Sequence, residues 1–290
     1  MNILVTGGSG FIGSHLVDKL IESGHEVRVL DIKQPYHKNV EFLKGDITSR
    51  EDVKRSLGDI DIVYHIAAFS NINLVKANPL ATIEQNILGT AYLLEECRKR
   101  EIKRFIFASS VYVYEERGHL YTTSKIASEL LCKSYNTLYS LPYTILRYGT
   151  AYGPRSREAD VVSLFVQRAL NGESLVIHGS GEQKRHFTYV GDLALGSVAA
   201  LNPIAENKTY TLASREAVSI KQLAEIIKGI FNNKVAVEYD SAREDDYQEE
   251  LADLDKTRDE LGWEPKVDLE EGIKRYIEWF KINVGSSPNH

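Results

Sequence analysis

Sulfur and indole are scarce: two cysteines, one methionine and two tryptophans occur in 290 residues. With only Cys97 and Cys132, neither a disulfide framework nor a cysteine-type zinc site can be built, and no metal is called for. Both cysteines fall in segments with a helical pattern, where a buried, inert thiol is the expected state. Long apolar runs are also missing, for nothing approaches the ~18 residues of a membrane-spanning helix. No basic stretch followed by an apolar one opens the chain; Met1-Asn2 leads straight into Ile3-Leu4-Val5. The expected location is the cytoplasm. Excess positive charge is absent, since 35 Lys+Arg face 41 Asp+Glu and the formal charge is −6. That balance excludes bulk attraction for nucleic acid or an anionic membrane, so an anionic ligand needs a local basic cluster. With 7 Pro, 20 Gly, 43% hydrophobic and 26% charged residues, the composition excludes a disordered or collagenous chain.

What is present is an alternation of short apolar runs with amphipathic stretches. Residues 3–5, 27–30, 40–43, 60–66, 104–108 and 143–146 read as strands. Residues 11–22, 82–100 and 124–139 read as helices. Strands that are continuous Val/Ile/Leu/Phe runs, separated by helices, predict βαβ units and a parallel sheet covered on both faces. After about residue 150 the pattern loosens, with short strands at 175–177 and 235–239 and a final helix at 269–282. We therefore expect a first domain at 1–150, to which later segments can return, and a smaller α/β cap at 151–290 that holds substrate against it.

Thr6-Gly7-Gly8-Ser9-Gly10-Phe11-Ile12-Gly13 lies between the first strand and first helix. Gly7 suits a tight turn, Gly10 lets backbone approach a pyrophosphate, and Gly13 allows close helix–strand packing. The following helix start offers free N–H groups to phosphate. Asp31 closes the second strand 18 residues after Gly13, where a carboxylate holds adenosine ribose hydroxyls. It would repel a 2′-phosphate by ~4 kcal/mol per charge pair at ~4 Å, which predicts NAD over NADP. Asp46-Ile47 suits either adenine contact or a helix N-cap, and Ile66-Ala67-Ala68 offers backbone against which a cofactor can lie. His65 reads as a satisfied structural histidine. The whole predicts a Rossmann-type doubly wound parallel sheet carrying the cap.

Tyr121 and Lys125 stand at i and i+4 on one helix face. A phenol of pKa ~10 needs ~4 kcal/mol of differential stabilisation to act as a base near neutrality, and a nearby ammonium supplies stabilisation of that sign. Ser110 ends the fifth strand at the carboxyl edge of the sheet, where a hydroxyl can bond a substrate oxygen.

This ordered set, with Asn86-Ile87-Leu88-Gly89-Thr90, Leu146-Arg147-Tyr148, Tyr152-Gly153-Pro154-Arg155, residues 185–192 and Leu261-Gly262-Trp263-Glu264-Pro265, resembles the extended short-chain dehydrogenase/reductase family. Within it the resemblance is to NAD-dependent nucleotide-sugar epimerases and dehydratases. It implies that Tyr121 is the general base and acid, that Lys125 holds the nicotinamide ribose and tunes Tyr121, and that Ser110 supports the substrate hydroxyl. It places Asn86 and Tyr148 near the cofactor, and Thr150, Arg185 and Arg243 on a UDP-linked sugar. Two guanidinium forks on one diphosphate fit the physics. It also implies a homodimer built through the helices at 82–100 and 124–139. Departures are visible. Ser110 and Tyr121 are only eleven residues apart, Glu115 follows Val113-Tyr114 in place of glycine, Thr150 replaces a substrate-binding Asn, and His186 replaces Asp. Val111 and Tyr112 stand where the dehydratase branch carries an acid pair. The expected activity is therefore C4 epimerisation of a UDP-sugar through a 4-keto intermediate. The alternatives are a 4-ketoreductase or dehydratase of the same family, or a non-catalytic NAD-binding sensor.

Overall fold

The computed structural model describes residues 1–114, 119–156, 160–241 and 253–283. The chain divides into two compact units, one of residues 1–148, 194–212 and 250–263, the other of 149–193, 213–249 and 264–290.

The first unit opens with strand β1 (Asn2–Thr6), helix α1 (Phe11–Glu22), β2 (Glu26–Asp31), β3 (Glu41–Lys44), α2 (Arg50–Ser56) and β4 (Ile62–His65). Helices α3 (Ile72–Ala77), α4 (Pro79–Ile83) and α5 (Gly89–Lys99), then β5 (Arg104–Ser110), α6 (Leu120–Tyr139) and β6 (Tyr143–Tyr148), complete the run. A strand at Lys208–Leu212 joins the far edge. The seven strands form one sheet in the order Lys208–Leu212, β6, β5, β4, β1, β2, β3, and each neighbouring pair is parallel. This is the Rossmann-type sheet the alternation predicts. The order reverses between β1 and β4, so the loops after these two strands flank the crevice where such sheets take ligands. β5 is buried along its whole length, and Leu4, Val63, Phe105, Phe107 and Ile145 pack with Leu93, Leu94 and Cys97 of α5. Both cysteines are free and buried, and burial pushes both thiols up.

Two details differ from the sequence reading. Residues 82–100 do not form one regular helix; between α4 and α5 the backbone widens into a π turn at Glu84–Leu88. There the Asn86 carbonyl accepts hydroxyl hydrogen bonds from Thr90 (2.6 Å) and Ser128 (2.8 Å). The Ser128 bond, from α6, belongs to tertiary packing that periodicity does not report. The second difference is the edge strand Lys208–Leu212, too polar in pattern (Lys-Thr-Tyr-Thr-Leu) to stand out as a buried strand.

In the second unit, Thr150–Tyr152 pairs in parallel with Phe187–Tyr189, Leu175–His178 in parallel with Val237–Asp240, and Lys184–Arg185 antiparallel with Val218–Ser219. Its own core joins Tyr152, Phe165, Ile177, Leu223, Ile227 and Ile273. The helix Ile220–Ile230 starts with a capping box, in which the Ser219 hydroxyl accepts from the Gln222 N–H and the Gln222 side chain accepts from the Ser219 N–H.

Candidate active site

The glycine loop is shaped by close approaches. Gly7 sits at φ +72°, and a Cβ there would fall 2.6 Å from the Ala67 nitrogen, so the β1 loop lies against the backbone that leaves β4. A Cβ on Gly13 would fall 2.0 Å from the Gly7 carbonyl oxygen; only glycine lets α1 start this close to the turn. Gly10 is exposed and is the N-cap of α1, with no side chain to occupy the free N–H groups of the first turn, and that turn (Phe11, Ile12, Gly13) carries no acid. The Asp31 carboxylate is fixed at the same place, accepting from the Ser9 N–H (3.0 Å) and the Lys33 N–H (3.0 Å). An open helix start beside an anchored carboxylate at the end of β2 fits a dinucleotide, with pyrophosphate on the loop and ribose at Asp31.

The other adenosine-side candidates divide. Asp46 accepts from both the N–H and the hydroxyl of Thr48 at 2.9 Å, while Ser49 is the N-cap of α2. Ile47 is buried and packs on Gly89, where a Cβ would meet it at 2.9 Å. Ile66, Ala67 and Ala68 are half-buried on the loop beside Gly7.

His65 is the buried structural histidine that its position suggests. Its Nε2 lies 2.9 Å from the Thr90 hydroxyl and its Nδ1 2.8 Å from the Thr6 hydroxyl. Because Thr90 already donates to the Asn86 carbonyl, Nε2 is the donor to Thr90 and Nδ1 accepts from Thr6, which is a neutral imidazole. Burial first, and then the nearby Lys125 ammonium, lower its pKa to about 3.

The reacting end is built on β5 and α6. α6 begins at Leu120, so Tyr121 stands in its first turn, half-buried. Lys125 is fully buried one turn on. Its Nζ donates to the Ala108 carbonyl (2.6 Å) and lies 4.8 Å from the Phe107 ring centre and 5.7 Å from that of Tyr121. Burial lowers the Lys125 pKa to about 8, against the opposing influence of Glu129 and Cys132. Ser110, at the end of β5, accepts from the Tyr112 N–H (3.3 Å), and the Tyr112 ring meets the Tyr121 ring edge-on at 6.0 Å. His119 packs beside both rings, 5.4 Å from Tyr112 and 6.3 Å from Tyr121. Tyr121 and Lys125 are thus held against the end of β5, the Tyr121 ring over the buried ammonium, with Ser110 tied to Tyr112, whose ring meets that of Tyr121.

Asn86 lies in the same unit as a clamp. Its amide donates to the Phe69 carbonyl (3.0 Å) and the Ser124 hydroxyl (2.9 Å), and its carbonyl oxygen accepts from the Phe69 N–H (2.7 Å). It therefore ties the loop after β4 to α6. Tyr148 is buried with its hydroxyl 2.8 Å from that of Ser197, and burial lifts its pKa to about 12.

In the second unit, Thr150 stands opposite Phe187 and Arg185 opposite Val218. The Arg185 guanidinium donates to the Lys184 carbonyl at 2.8 Å. His186 Nδ1 lies 2.9 Å from the Ser214 carbonyl. Arg243 and Glu115 fall outside the described residues. Sequence reading quoted Thr90, Ser124 and Arg147 only within motifs, with no role of their own, and missed Ser128 and Glu129. Of these, Glu129 carried a signal, being the next step of the i, i+4 series that joins Tyr121 to Lys125.

A family model described as "NAD dependent epimerase/dehydratase family" matches residues 3–213. A relative described as a putative UDP-glucose 4-epimerase, from Methanocaldococcus jannaschii, is 39% identical over 304 residues, with 97% of this chain and 99% of that one covered. UDP-glucuronic acid decarboxylase 1 of Xenopus tropicalis is 34% identical, with 99% of this chain and 74% of that one covered. Among solved structures, UDP-glucose 4-epimerase of Thermotoga maritima with UDP-glucose superposes with a TM-score of 0.92 at 34% identity, covering 98% of this chain and 100% of that one.

Proposed function

The chain belongs to the NAD dependent epimerase/dehydratase family, and from that premise we propose that it is an NAD-dependent nucleotide-sugar epimerase that inverts C4 of a UDP-hexose or UDP-hexuronate. The observation that carries this reading is the buried Lys125 ammonium beneath the Tyr121 ring, donating to the Ala108 carbonyl two residues before Ser110. NAD, when bound, supplies a reversible two-electron acceptor. The glycine loop and the α1 start hold its pyrophosphate, Asp31 its adenosine ribose, and Lys125 its nicotinamide ribose.

Tyr121 takes the proton of the sugar C4 hydroxyl as that carbon is oxidised to a ketone. Lys125 favours the phenolate by proximity of charge, and the Ser110 hydroxyl bonds the C4 oxygen through the change. After the 4-keto sugar turns over, Tyr121 returns the proton while C4 is reduced on its other face. Thr150, Arg185 and Arg243 would bind the sugar and diphosphate; two guanidinium groups suit that dianion in a chain of net charge −6. Neither Val111 nor Tyr112 is an acid able to expel a hydroxyl as water, which favours epimerisation over dehydration.

The reading includes a homodimer through α5 and α6, supported by the exposed Leu88, Leu130 and Leu138 on these helices and the π turn before them. Among the described residues no helix is long and apolar enough to cross a membrane. The two free thiols suit the cytoplasm, which the reading includes, and the charge balance leaves nucleic acid out of it.

The test is to incubate the NAD-loaded protein with UDP-glucose, UDP-glucuronate and their N-acetyl counterparts and resolve the products by chromatography. The C4 epimer should accumulate to equilibrium without net NADH, and Tyr121→Phe should abolish it while NAD stays bound. Release of CO2 with a UDP-pentose product, or one NADH formed per sugar consumed, would overturn the assignment.

A further inference from the structure

Directly behind the reacting pair lies a buried ion pair that the proposed chemistry does not use. Glu129 follows Lys125 by one helical turn on α6 and is 4% exposed. Its carboxylate accepts from Arg147 Nε (2.8 Å) and a terminal nitrogen (2.6 Å) in a two-pronged pairing, and from the Ser109 hydroxyl (2.6 Å). Ser109 and Arg147 are register partners on β5 and β6, so one carboxylate staples α6 to two strands of the sheet. The Arg147 guanidinium in turn lies 4.7 Å from the Tyr114 ring centre, and the Tyr114 hydroxyl meets that of Thr211 on the edge strand at 2.5 Å.

A buried ion pair contributes little net stability, because desolvation offsets most of its attraction, and apolar residues of the same volume often do as well. A packing role therefore does not explain why charge stands here. Its neighbour does. The Lys125 ammonium is fully buried, and among the described residues it meets the Ala108 carbonyl and the Phe107 and Tyr121 rings. The titratable groups around it are Tyr121, Glu129 and Cys132 on α6 and His65 on β4, with Arg147 on β6 behind Glu129. His65 is neutral and burial keeps the Cys132 thiol protonated, so Glu129 is the anion of the set.

We propose that Glu129 is a positioning residue: clamped by Arg147 and Ser109, it supplies the buried counter-charge that keeps Lys125 an ammonium beneath Tyr121. Glu129 touches no reacting atom; it acts through Lys125. Arg147 fixes the carboxylate and, as a cation, subtracts part of its effect.

The inference rests on the reading of Tyr121 and Lys125 as the reacting pair, so the test reads Lys125 directly. The NAD-loaded full chain is labelled with lysine carrying 13C at Cε, the Lys125 resonance is identified by its loss in Lys125→Met, and its shift is followed with pH. In Glu129→Asp, which keeps the charge, the midpoint should match that of the wild type. In Glu129→Gln it should fall by at least ~1 unit, a tenfold rise in the acid dissociation constant. In Glu129→Gln/Arg147→Met it should fall by less, because the opposing cation leaves as well. The alkaline limb of kcat should move with these midpoints while the KM for the sugar nucleotide changes little. Should Glu129→Gln fail to fold, the double variant, free of an unpaired buried charge, decides by its own, smaller fall. An unmoved midpoint in the folded charge-removing variants, with kcat lowered uniformly across pH, overturns the proposal. A wild type with no epimerase activity but with these titration shifts overturns the proposed reaction instead and leaves the role of Glu129 standing.

Discussion

His65 makes the stability of the fold depend on pH in a way that can be calculated. Folded, it is a neutral imidazole locked between Thr6 and Thr90, with burial and the Lys125 ammonium lowering its pKa to about 3. Unfolded, it titrates near 6.5. Below 6.5 the unfolded chain binds a proton that the folded chain refuses, so acid favours unfolding. The stabilising contribution is complete above 6.5 and is lost progressively as pH falls towards 3, at about 1.4 kcal/mol per pH unit. Between pH 7 and pH 5 the loss is about 2 kcal/mol. Urea unfolding of the wild type and of His65→Gln at both pH values isolates it. The substitution lowers stability at pH 7 through lost packing, but it removes this proton, so the wild type should lose about 2 kcal/mol more than the variant on going from pH 7 to 5. All other histidines and carboxylates are common to both proteins and cancel. Equal losses in the two would refute the neutral, proton-refusing assignment.

The remaining predictions concern the cofactor and the assembly. Asp31→Asn should shift the preference from NAD towards NADP, by up to ~10³-fold if the full ~4 kcal/mol of like-charge repulsion is relieved; calorimetric titration with both dinucleotides measures this, and an unchanged ratio would place the 2′ position away from Asp31. Leu130→Asp with Leu138→Asp puts charge on the exposed apolar positions of α6. Light scattering should show a dimer becoming a monomer with NAD still bound, whereas a wild type that is itself monomeric would remove the proposed interface.

Much of the cofactor side could be read from the chain alone. The run from Thr6 to Gly13 works through sterics that act within a few residues, and Gly13, where a Cβ would fall 2.0 Å from the Gly7 carbonyl oxygen, shows how strictly. Tyr121 and Lys125 share a face because helix geometry alone requires it. The strands of the sheet were legible because β5 is buried along its whole length and carries an unbroken apolar run, Phe105 to Ala108, at its centre. The less legible parts are those whose signal is not local. The strand Lys208–Leu212 reaches the sheet after sixty residues of other structure, and its Lys-Thr-Tyr-Thr pattern acquires meaning only beside β6. At the π turn, the Asn86 carbonyl also takes a hydrogen bond from Ser128, which only α6 brings alongside.

The amino-acid order by itself therefore determined the alternating parallel architecture, the phosphate-ready glycine turn, the Asp31 carboxylate and the spacing of phenol and amine, since sterics and periodicity act over one or two turns of chain. Tertiary structure alone decided the electrical state of those groups: that Lys125 is buried against the Ala108 carbonyl, that His65 is neutral, and that Glu129 is held by Arg147 and Ser109. Desolvation and counter-charge depend on which strands come alongside, and that is settled only when the sheet closes around them.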